Sequence, residues 1–494
     1  MVTRRQFLAH VAAGSMSASL LASPSQVNIG KSARKRPNIL IIYVDDLALG
    51  DVGAFGCPDK GTENIDSLAR DGIKLSNAYT INTPCSPSRT GLMMGMYTQR
   101  FGKYDLSRGV PIPNDKPTLA ETLRDAGYTT GIVGLEKWDI GRWNQGCLDR
   151  GFMEAGMHPP RVEGNEYFGG GASYIGVDGS YLTEVEGGYV LDFIARHGKK
   201  DKPFFMYFVP LAVHIPNTEV PLKYLKRLYP DHTGEKYSKR QYLRATLLAL
   251  DDQIGLIRKK LDDMGIAKDT LIMFGSDNGG DPCAEHRPLP YRGGKSCSIG
   301  AKNMQWEGNY RMPTIVTYPG TLPAGKEYKG MASTIDFYAT AAAVAKTKLP
   351  DHCEGKNLLP LLQGKKKPNA DDSLFWHSHG SQIARWKQWR IVKFGKEKKW
   401  RLYNIEADPG ETRDLTAQHP DIVKEMGKRY NDWLSQMPEP ALPVKPPKEV
   451  YKLSWHHARR PFGRGWMTVE NWDKIKDDPT QWSEYHVRKK MLSK

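Results

Sequence analysis

The stretch Cys85-Ser86-Pro87-Ser88-Arg89 combines a thiol, a cation and a restricted backbone within five residues. Pro84 and Pro87 fix backbone angles on either side of the thiol. Arg89 follows Cys85 by four residues, a spacing that places both side chains on one face of a helix. A thiol beside a permanent cation at the start of a helix is suited to binding and processing an anion. A buried, inert cysteine in a turn is the alternative, and these five residues alone do not decide between the two.

Two predicted strands each end in acidic residues. Residues 38–44 and 270–274 are apolar runs typical of strands that are buried on both faces of a parallel sheet. The carboxyl ends of such strands are where α/β sheets bind ligands, and a hard divalent cation would relieve the repulsion between neighbouring carboxylates. A solvated acidic turn is the alternative. The oxygen-bearing side chains that follow the two strands are Asp45, Asp46, Asp277 and Asn278.

Strands alternate with helices up to about residue 350. Apolar residues at helical spacing predict the helices, and continuous apolar runs predict further core strands between them. This alternation predicts a mostly parallel sheet with helices on both faces. The helices are predicted at residues 118–126, 189–196, 242–261 and 333–345, and the further strands at residues 128–134, 203–209 and 314–318.

After that point the elements become short, which predicts a smaller domain with an antiparallel sheet and a helix. The predicted elements are strands near residues 373–377, 382–394 and 400–405 and a helix at residues 420–437. We therefore assign residues 37–348 to a catalytic domain and residues 349–437 to a C-terminal subdomain. Residues 438–494 are rich in Pro, Trp and basic residues. This extension either binds an extended anionic substrate or packs against the main domain.

The 494-residue chain is basic, with a formal net charge of +16. Such a charge suits nucleic acid, an anionic surface or an acidic polysaccharide. The sequence contains no recognition motif for nucleic acid, and we expect no nucleic-acid partner. Six cysteines are too few for a fold that is held together by disulfides.

The first 25 residues predict a targeting segment. Arg4-Arg5 precedes a short apolar run that ends at Ala22, which is the pattern of a twin-arginine signal peptide. An uncleaved membrane anchor is the alternative. Residues 26–36 are a predicted linker. We expect a bacterial protein that is exported to the periplasm or beyond, and no stable membrane span, because no later run reaches about 18 apolar residues.

Taken in order, these motifs resemble those of the type I sulfatases. The core that begins at Cys85 matches the family signature, with Met94-Gly95 where the family has Thr-Gly. His214-Ile215-Pro216 is similar to the family's His-x-Pro motif, and residues 408–411 are similar to its C-terminal Asp-Pro-Gly-Glu segment. The resemblance implies an alkaline-phosphatase-like fold, in which helices sandwich a mostly parallel sheet beside the smaller C-terminal domain.

The resemblance also implies a cofactor and a mechanism. In this family a maturation enzyme converts the cysteine, here Cys85, to formylglycine, and a hydroxyl of the aldehyde hydrate attacks sulfur. The alcohol then leaves with a proton, for which His214 and Lys302 are candidates, and the re-forming aldehyde expels sulfate. The implied ligands of a divalent cation, usually Ca²⁺, are Asp45, Asp46, Cys85, Asp277 and Asn278. The implied catalytic residues are Cys85, Arg89, Lys137, Asp139, His214 and Lys302.

Two positions depart from the family pattern. Leu135-Glu136 separates Gly134 from Lys137, where the family has Gly directly before the lysine. Asp139 stands where the family usually has histidine; it could act as a base, support Lys137 or mark reduced activity. Lys302 matches the last lysine of the family's site by its spacing to Glu307-Gly308, and Lys295 is a competing alignment.

These observations predict an exported sulfatase that acts on a sulfated carbohydrate. A phosphomonoester or phosphodiester hydrolase of the same superfamily is the first alternative, because relatives with the same core catalyse that reaction. A lapsed sulfatase that binds sulfated glycans without turnover is the second, and it is motivated by Asp139.

Overall fold

The computed structural model describes residues 36–105, 110–134, 147–157, 174–176, 178–285, 302, 304–378, 380–441 and 465–468. Within these ranges fifteen strands form three sheets. In chain order the strands are β1 Asn38–Val44, β2 Ile73–Leu75, β3 Ala78–Tyr79, β4 Thr129–Gly134, β5 Glu154–Met157, β6 Phe204–Val209, β7 Thr270–Ser276, β8 Thr314–Thr317, β9 Lys326–Tyr328, β10 Ala332–Ser333, β11 Ser373–Ser378, β12 Ser381–Trp386, β13 Trp389–Lys393, β14 Arg401–Asn404 and β15 Gly465–Thr468.

Nine of these strands form the central sheet, in the order β15-β5-β4-β6-β1-β7-β8-β2-β9. Seven run in the same direction, and only β8 and β15 run against them. β1 lies in the middle, between β6 and β7, and all seven of its residues are buried. A parallel strand that is covered on both faces is continuously apolar, which is why the sequence of β1 has no polar–apolar alternation.

Helices cover both faces of the central sheet. Ile39, Ile41 and Tyr43 of β1 pack into one apolar cluster, and Leu40, Ile42 and Val44 pack into another. In the described part of the chain the helices are α1 Glu63–Asp71, α2 Cys85–Met94, α3 Leu119–Asp125, α4 Leu182–His197, α5 Leu222–Leu228, α6 Lys239–Asp263, α7 Glu307–Tyr310, α8 Asp336–Val344, α9 Leu359–Leu362 and α10 Pro420–Leu434. Residues of α2, α3 and α8 join the first cluster, and residues of α1, α4, α5 and α6 join the second.

The second sheet is the antiparallel meander β11-β12-β13-β14. One face packs on α10, where Ile391 and Leu402 meet Tyr430 and Trp433. The other face packs on the main body, where Trp376 Nε1 donates a hydrogen bond to the Thr80 carbonyl oxygen at 2.7 Å. The third sheet is the pair β3–β10.

The predicted fold class is confirmed: helices sandwich a mostly parallel sheet, and a small antiparallel sheet with a helix follows. The predicted helix at 333–345 is shorter than expected, because Ala332–Ser333 pairs with β3 and α8 begins at Asp336. The predicted strand at 382–394 is two strands, because Lys387 adopts a left-handed backbone (φ 50°) and reverses the chain. The domain boundaries at 348 and 437 remain predictions.

The C-terminal extension contributes a strand to the central sheet, which the sequence analysis did not predict. β15 pairs antiparallel with β5 over four residues, from Gly465 opposite Met157 to Thr468 opposite Glu154. This segment is therefore an outermost strand of the central sheet. In the described residues, none of the helices is both long and apolar enough to cross a membrane.

Candidate active site

Cys85 is the first residue of α2, where the helix leaves four backbone N–H groups without helical partners. Pro87 is tolerated because it lies in the first turn. Gly91 lies inside the helix, and a Cβ there would overlap the Ile81 side chain. The Cys85 side chain thus lies where the helix dipole favours an anion.

The predicted acidic residues converge at one edge of the sheet. Val44 lies opposite Ser276 in the parallel β1–β7 pair, so the residues that follow both strands emerge together. Asp46 has a left-handed backbone (φ 59°), a conformation that Asp tolerates better than most residues. Its backbone N–H donates to Asp277 Oδ1 at 3.1 Å, and Asn278 Nδ2 donates to Asp46 Oδ1 at 2.6 Å. Four side chains there are completely buried: Asp45, Asp46, Asp277 and Asn278.

The oxygens of Asp45 and Asp277 approach the sulfur of Cys85. One ligand atom from each of the three residues lies within 4.8 Å of the other two, a spacing that would suit a metal ion. Asn278 Oδ1 is buried and accepts no hydrogen bond from the described part of the chain. A buried polar atom without a partner is costly, and a cation would use this oxygen as a ligand. Oxygen donors of this kind fit a hard divalent cation such as Ca²⁺.

Arg89 is completely buried beside the carboxylates. Its Nη2 and Nε lie 2.7 and 2.9 Å from Asp277 Oδ2, and Nη2 lies 3.5 Å from Asp45 Oδ1. Burial lowers the pKa of the Arg89 guanidinium, but Asp277 and Asp45 raise it by more, so the net shift is upward. Arg89 therefore stays charged inside the protein.

Lys302 and His214 meet the same carboxylate from two other loops. Lys302 Nζ donates to Asp46 Oδ2 at 2.9 Å, and His214 Nε2 lies 3.6 Å from that oxygen. The Lys302 N–H donates to the Gly280 carbonyl oxygen at 2.9 Å, which places Lys302 beside the loop after β7. Burial lowers the pKa of Lys302, but Asp46, Cys85, Asp45 and Asp277 together raise it by more, so the ammonium stays protonated. His214 Nδ1 donates to the Ile215 carbonyl oxygen at 2.6 Å, which leaves Nε2 to face the site.

The carboxylates outnumber the described cations that contact them. Asp45, Asp46 and Asp277 form ion pairs with two described cations, Arg89 and Lys302. His214 lies at the edge of this group. Burial raises the pKa of Asp277 from its ordinary value of 3.8 to about 7; Asp45 and Asp46 also raise it, and Arg89 lowers it. An additional cation at this position would stabilise the ionised form of all three carboxylates.

The structure thus brings together seven of the predicted site residues, namely Cys85, Arg89, His214, Lys302, Asp45, Asp46 and Asp277, and places Asn278 beside them. Lys137 and Asp139, and Lys295 as the alternative to Lys302, lie outside the described residues. Their roles stay predictions.

Comparison with known proteins identifies the family. The sulfatase family model matches residues 37–347, which is more than half of the chain. The chain belongs to the sulfatase family. It is therefore a sulfuric ester hydrolase, and a second model, the C-terminal region of N-sulphoglucosamine sulphohydrolase, matches residues 299–436 of this sulfatase.

Named relatives and solved structures agree with this assignment. Human arylsulfatase A is 28% identical over 458 residues, covering 81% of this chain and 84% of its own. The N-acetylgalactosamine-6-O-sulfatase of Bacteroides thetaiotaomicron is 26% identical over 504 residues, covering 82% of this chain and 94% of its own. The crystal structure of Ps i-CgsB in complex with k-i-k-neocarrahexaose superimposes with a TM-score of 0.72 at 25% identity, covering 85% and 98% of the two chains.

Further residues that the sequence analysis did not assign support the site of this sulfatase. The Ser88 hydroxyl lies 2.8 Å from the Tyr43 hydroxyl and 2.6 Å from Thr80 Oγ1. All three side chains are buried, so they fix the first turn of α2 against β1. The available signal was the position of Ser88 inside the motif, three residues after Cys85.

The short helix α7 links three parts of the site. Asn309 Nδ2 donates to Thr83 Oγ1 at 3.3 Å, close to Cys85, and to the Met304 carbonyl oxygen at 2.7 Å, close to Lys302. The Gly279 N–H donates to the Asn309 carbonyl oxygen at 3.2 Å, next to Asn278. The position of α7 therefore affects the nucleophile loop, the lysine and a proposed metal ligand together.

Glu307, Arg390 and Glu411, which we call the α7 bracket, attach this helix to the C-terminal sheet. Arg390 forms an ion pair with Glu411, and its Nε lies 3.7 Å from Glu307 Oε2. Glu411 Oε2 accepts from the Glu307 N–H at 2.7 Å, and the Tyr79 hydroxyl donates to Glu307 Oε1 at 2.8 Å. All three members of the α7 bracket are buried. The sequence signal that could have identified the bracket is Arg390, which lies two residues before Val392 and so shares its buried face of β13.

Proposed function

We propose that this sulfatase removes sulfate from a sulfated carbohydrate, with Cys85 converted to formylglycine and a divalent cation held beside it. The observation that carries the proposal is the convergence of Cys85 with Asp45 and Asp277, whose ligand atoms lie within 4.8 Å of one another at the start of α2. The nucleophile position, the acidic ligands and the helix N-terminus meet there.

The proposed cation is Ca²⁺, with Asp45, Asp46, Asp277 and Asn278 as oxygen ligands and the modified residue 85 beside it. When bound, it would neutralise negative charge on a sulfate oxygen as a Lewis acid. Support comes from the buried excess of carboxylates and from Asn278 Oδ1, to which none of the described residues donates a hydrogen bond. Oxidation of the thiol by a maturation enzyme would supply the aldehyde, whose hydrate provides the attacking oxygen.

The remaining steps are assigned to side chains of this chain. The N–H groups at the start of α2 and the charges of Arg89 and Lys302 would bind the anionic ester and oppose the charge that develops in the transition state. His214 is the preferred proton donor to the leaving alcohol, because its Nε2 faces the site and its side chain is 21% exposed. Lys302 serves better as a fixed charge, because its pKa is raised. Lys137 and Asp139 keep their predicted roles as a cation and as a base or a partner of Lys137.

The substrate class rests on relatives and on charge. N-acetylgalactosamine-6-sulfatases and a structure in complex with k-i-k-neocarrahexaose are among the similar proteins. The net charge of +16 suits a polyanionic substrate. The phosphonate monoester hydrolase of Agrobacterium radiobacter shares the fold with a TM-score of 0.61 at 20% identity, covering 81% of this chain and 96% of its own. That likeness concerns the fold alone.

We also propose export to the periplasm or beyond through a twin-arginine signal in residues 1–25. We propose that the rest of the chain comprises a linker at 26–36, a catalytic domain at 37–348 and a C-terminal subdomain at 349–437. The paired arginines and the short apolar run support the signal. The bacterial relative named above supports a periplasmic or extracellular site of action. Cleavage and location can be measured by N-terminal sequencing of protein from cell fractions.

The test is sulfate release from a panel of sulfated oligosaccharides by protein that is co-expressed with a formylglycine-generating enzyme. Cys85→Ala should lower the rate by several orders of magnitude, because it removes the nucleophile. Cys283→Ala is the matched control, since Cys283 is an exposed cysteine, and it should retain activity. Phosphate esters of the same alcohols are assayed in parallel. Faster phosphate than sulfate release would overturn the proposed substrate class, and binding without turnover would favour the lapsed enzyme.

A further inference from the structure

A strongly basic hairpin joins β13 to β14. Residues 393–401 contain five cations and one carboxylate, a formal charge of +4 in nine residues. Arg401 is paired with Glu397 at 2.7 Å. Three other cations are exposed, and within the described residues they form no ion pair: Lys396, Lys398 and Lys399. Their charge is available to an external anion.

The hairpin lies on the end of the C-terminal sheet that reaches the active site. Ser378, at the end of β11, donates from Oγ to the Thr83 carbonyl oxygen at 3.1 Å, two residues before Cys85. The Gly395 N–H in the hairpin donates to Ser381 Oγ at 3.0 Å, across the turn that follows Ser378. The basic hairpin and the loop before the nucleophile thus contact the same β11–β12 turn.

A second contact fixes the base of the hairpin. Phe394 packs on Trp306 with ring centroids 4.9 Å apart, and Trp306 follows Lys302 by four residues. An open cleft of about 510 Å³ runs beside the hairpin and is lined by Lys398, Lys399, Trp400 and Arg401 together with Glu397, Asp414 and Thr416. Cationic groups with one aromatic ring are the side chains that bind anionic groups on sugar rings.

We propose that the β13–β14 hairpin is a second binding site for sulfate groups, which holds an extended sulfated carbohydrate whose reacting ester lies at Cys85. The inference rests on the proposed function, because that function brings a polyanion to the neighbouring site. Lys396, Lys398 and Lys399 supply the charge, and the contacts through Ser381 and Trp306 hold the hairpin next to the catalytic loops. Each added sulfated unit that reaches the hairpin strengthens binding without changing the reaction at sulfur.

The test compares Lys398→Ala/Lys399→Ala with the matched double variant Lys365→Ala/Lys366→Ala. The control removes the same charge from another exposed loop. Gln363 Nε2, next to that loop, donates to the carbonyl oxygen of Thr321, which follows β8. Because β8 runs antiparallel to β7, its carboxyl end lies at the amino ends of the parallel strands, away from the active site. Trp400 is left unchanged, because its ring packs against Tyr430 at 5.3 Å and its loss would disturb α10.

Two measurements are made. In the first, KM and kcat are determined for a small aryl sulfate and for sulfated oligosaccharides of increasing length. The hairpin variant should raise KM about fivefold for the longer chains, more at low salt than at high salt, and leave kcat and the aryl sulfate unchanged, since two exposed ion pairs are lost. The control variant should behave as wild type. If the hairpin variant and the control variant have the same KM for each substrate, the proposal is overturned.

In the second measurement, binding of dextran sulfate, unsulfated dextran and DNA is followed by affinity electrophoresis, which needs no turnover. Weaker binding of dextran sulfate by the hairpin variant alone supports the site even if no substrate in the panel is hydrolysed. Failure of the proposed function is thereby distinguished from failure of the hairpin. A hairpin that binds DNA as tightly as dextran sulfate at equal charge would overturn its assignment to carbohydrate.

Discussion

Two groups of buried carboxylates adjoin α7, and they differ in the potential ligand atoms that they bring together. In the α7 bracket, two glutamates share one arginine, a backbone N–H and a tyrosine hydroxyl. At the sheet edge, three aspartates share Arg89 and Lys302, and among the described residues none donates a hydrogen bond to the side-chain oxygen of Asn278. Both groups hold one carboxylate more than the described cations that contact them, and Glu307 Oε2 also accepts no hydrogen bond from the described residues. The sheet edge differs because potential ligand atoms of Asp45, Asp277 and Cys85 lie within 4.8 Å of one another.

This difference separates a structural role from a functional one. A buried ion pair does not by itself indicate a functional site, because breaking either group would be costly. The clustered ligand atoms of Asp45, Asp277 and Cys85, with the amide oxygen of Asn278 beside them, are what indicate a cation at the sheet edge. The α7 bracket, in contrast, connects the C-terminal sheet to the helix that positions the site. The following variants should affect the two groups differently.

The largest effect is expected at the sheet edge. Asp277→Asn removes one charge of the proposed metal site but keeps the shape of the side chain, whereas Ala would leave buried Arg89 with only Asp45 at 3.5 Å. We expect loss of stoichiometric metal and at least about a hundredfold loss of kcat. Metal content is measured by mass spectrometry of the purified protein. Retained stoichiometric metal would remove Asp277 from the ligands.

The α7 bracket should respond in the opposite way. Arg390→Met leaves Glu307 and Glu411 buried without their cation, so we expect the free energy of unfolding to fall by about 3–5 kcal/mol. Arg413→Met, at an exposed arginine two residues after Glu411, is the matched control and should be nearly neutral. Below its melting temperature the Arg390 variant should still bind the metal. Loss of metal with unchanged stability would contradict a structural role.

A smaller effect concerns pH. Burial raises the pKa of Glu411 from 4.5 to about 7; Glu307 also raises it, and Arg390 lowers it. The folded state then holds this proton more tightly than the unfolded chain, so the contribution of Glu411 to stability falls as pH rises from about 4.5 to about 7. Glu411→Gln removes this dependence.

Denaturant unfolding of wild type and Glu411→Gln between those pH values measures the effect. The free energy of unfolding of wild type should fall relative to the variant, by an amount on the order of 2 kcal/mol, and the difference should be constant above about pH 7. A difference that grows in favour of wild type with rising pH would mean that Arg390 outweighs burial and that the net shift of the Glu411 pKa is downward.

The sheet edge was largely predictable from the sequence, and the α7 bracket was not. Buried apolar runs ending in Asp45 and Asp277 identify parallel strands, and parallel strands bring their carboxyl ends together. The three members of the bracket meet only through tertiary packing, since the hydrogen bond from Glu307 to Glu411 spans 104 residues. No local pattern specifies such a contact.

The edge strand β15 escaped prediction for a related reason. Gly465–Thr468 is four residues long and lies in a Pro-, Trp- and basic-rich extension, so neither length nor alternation indicated a strand. Its partner β5 provides the template, because an edge strand offers unpaired backbone groups to any neighbouring segment. For residues 465–468, the structure favours packing on the main domain over a free binding tail.

The most direct test of the whole account is the mass of the peptide that contains Cys85, taken from a preparation whose sulfatase activity has been measured. The account predicts an aldehyde at residue 85 and a specific activity that rises in proportion to the fraction of modified peptide. Full sulfatase activity in a preparation that carries only the unmodified Cys85 thiol would contradict it.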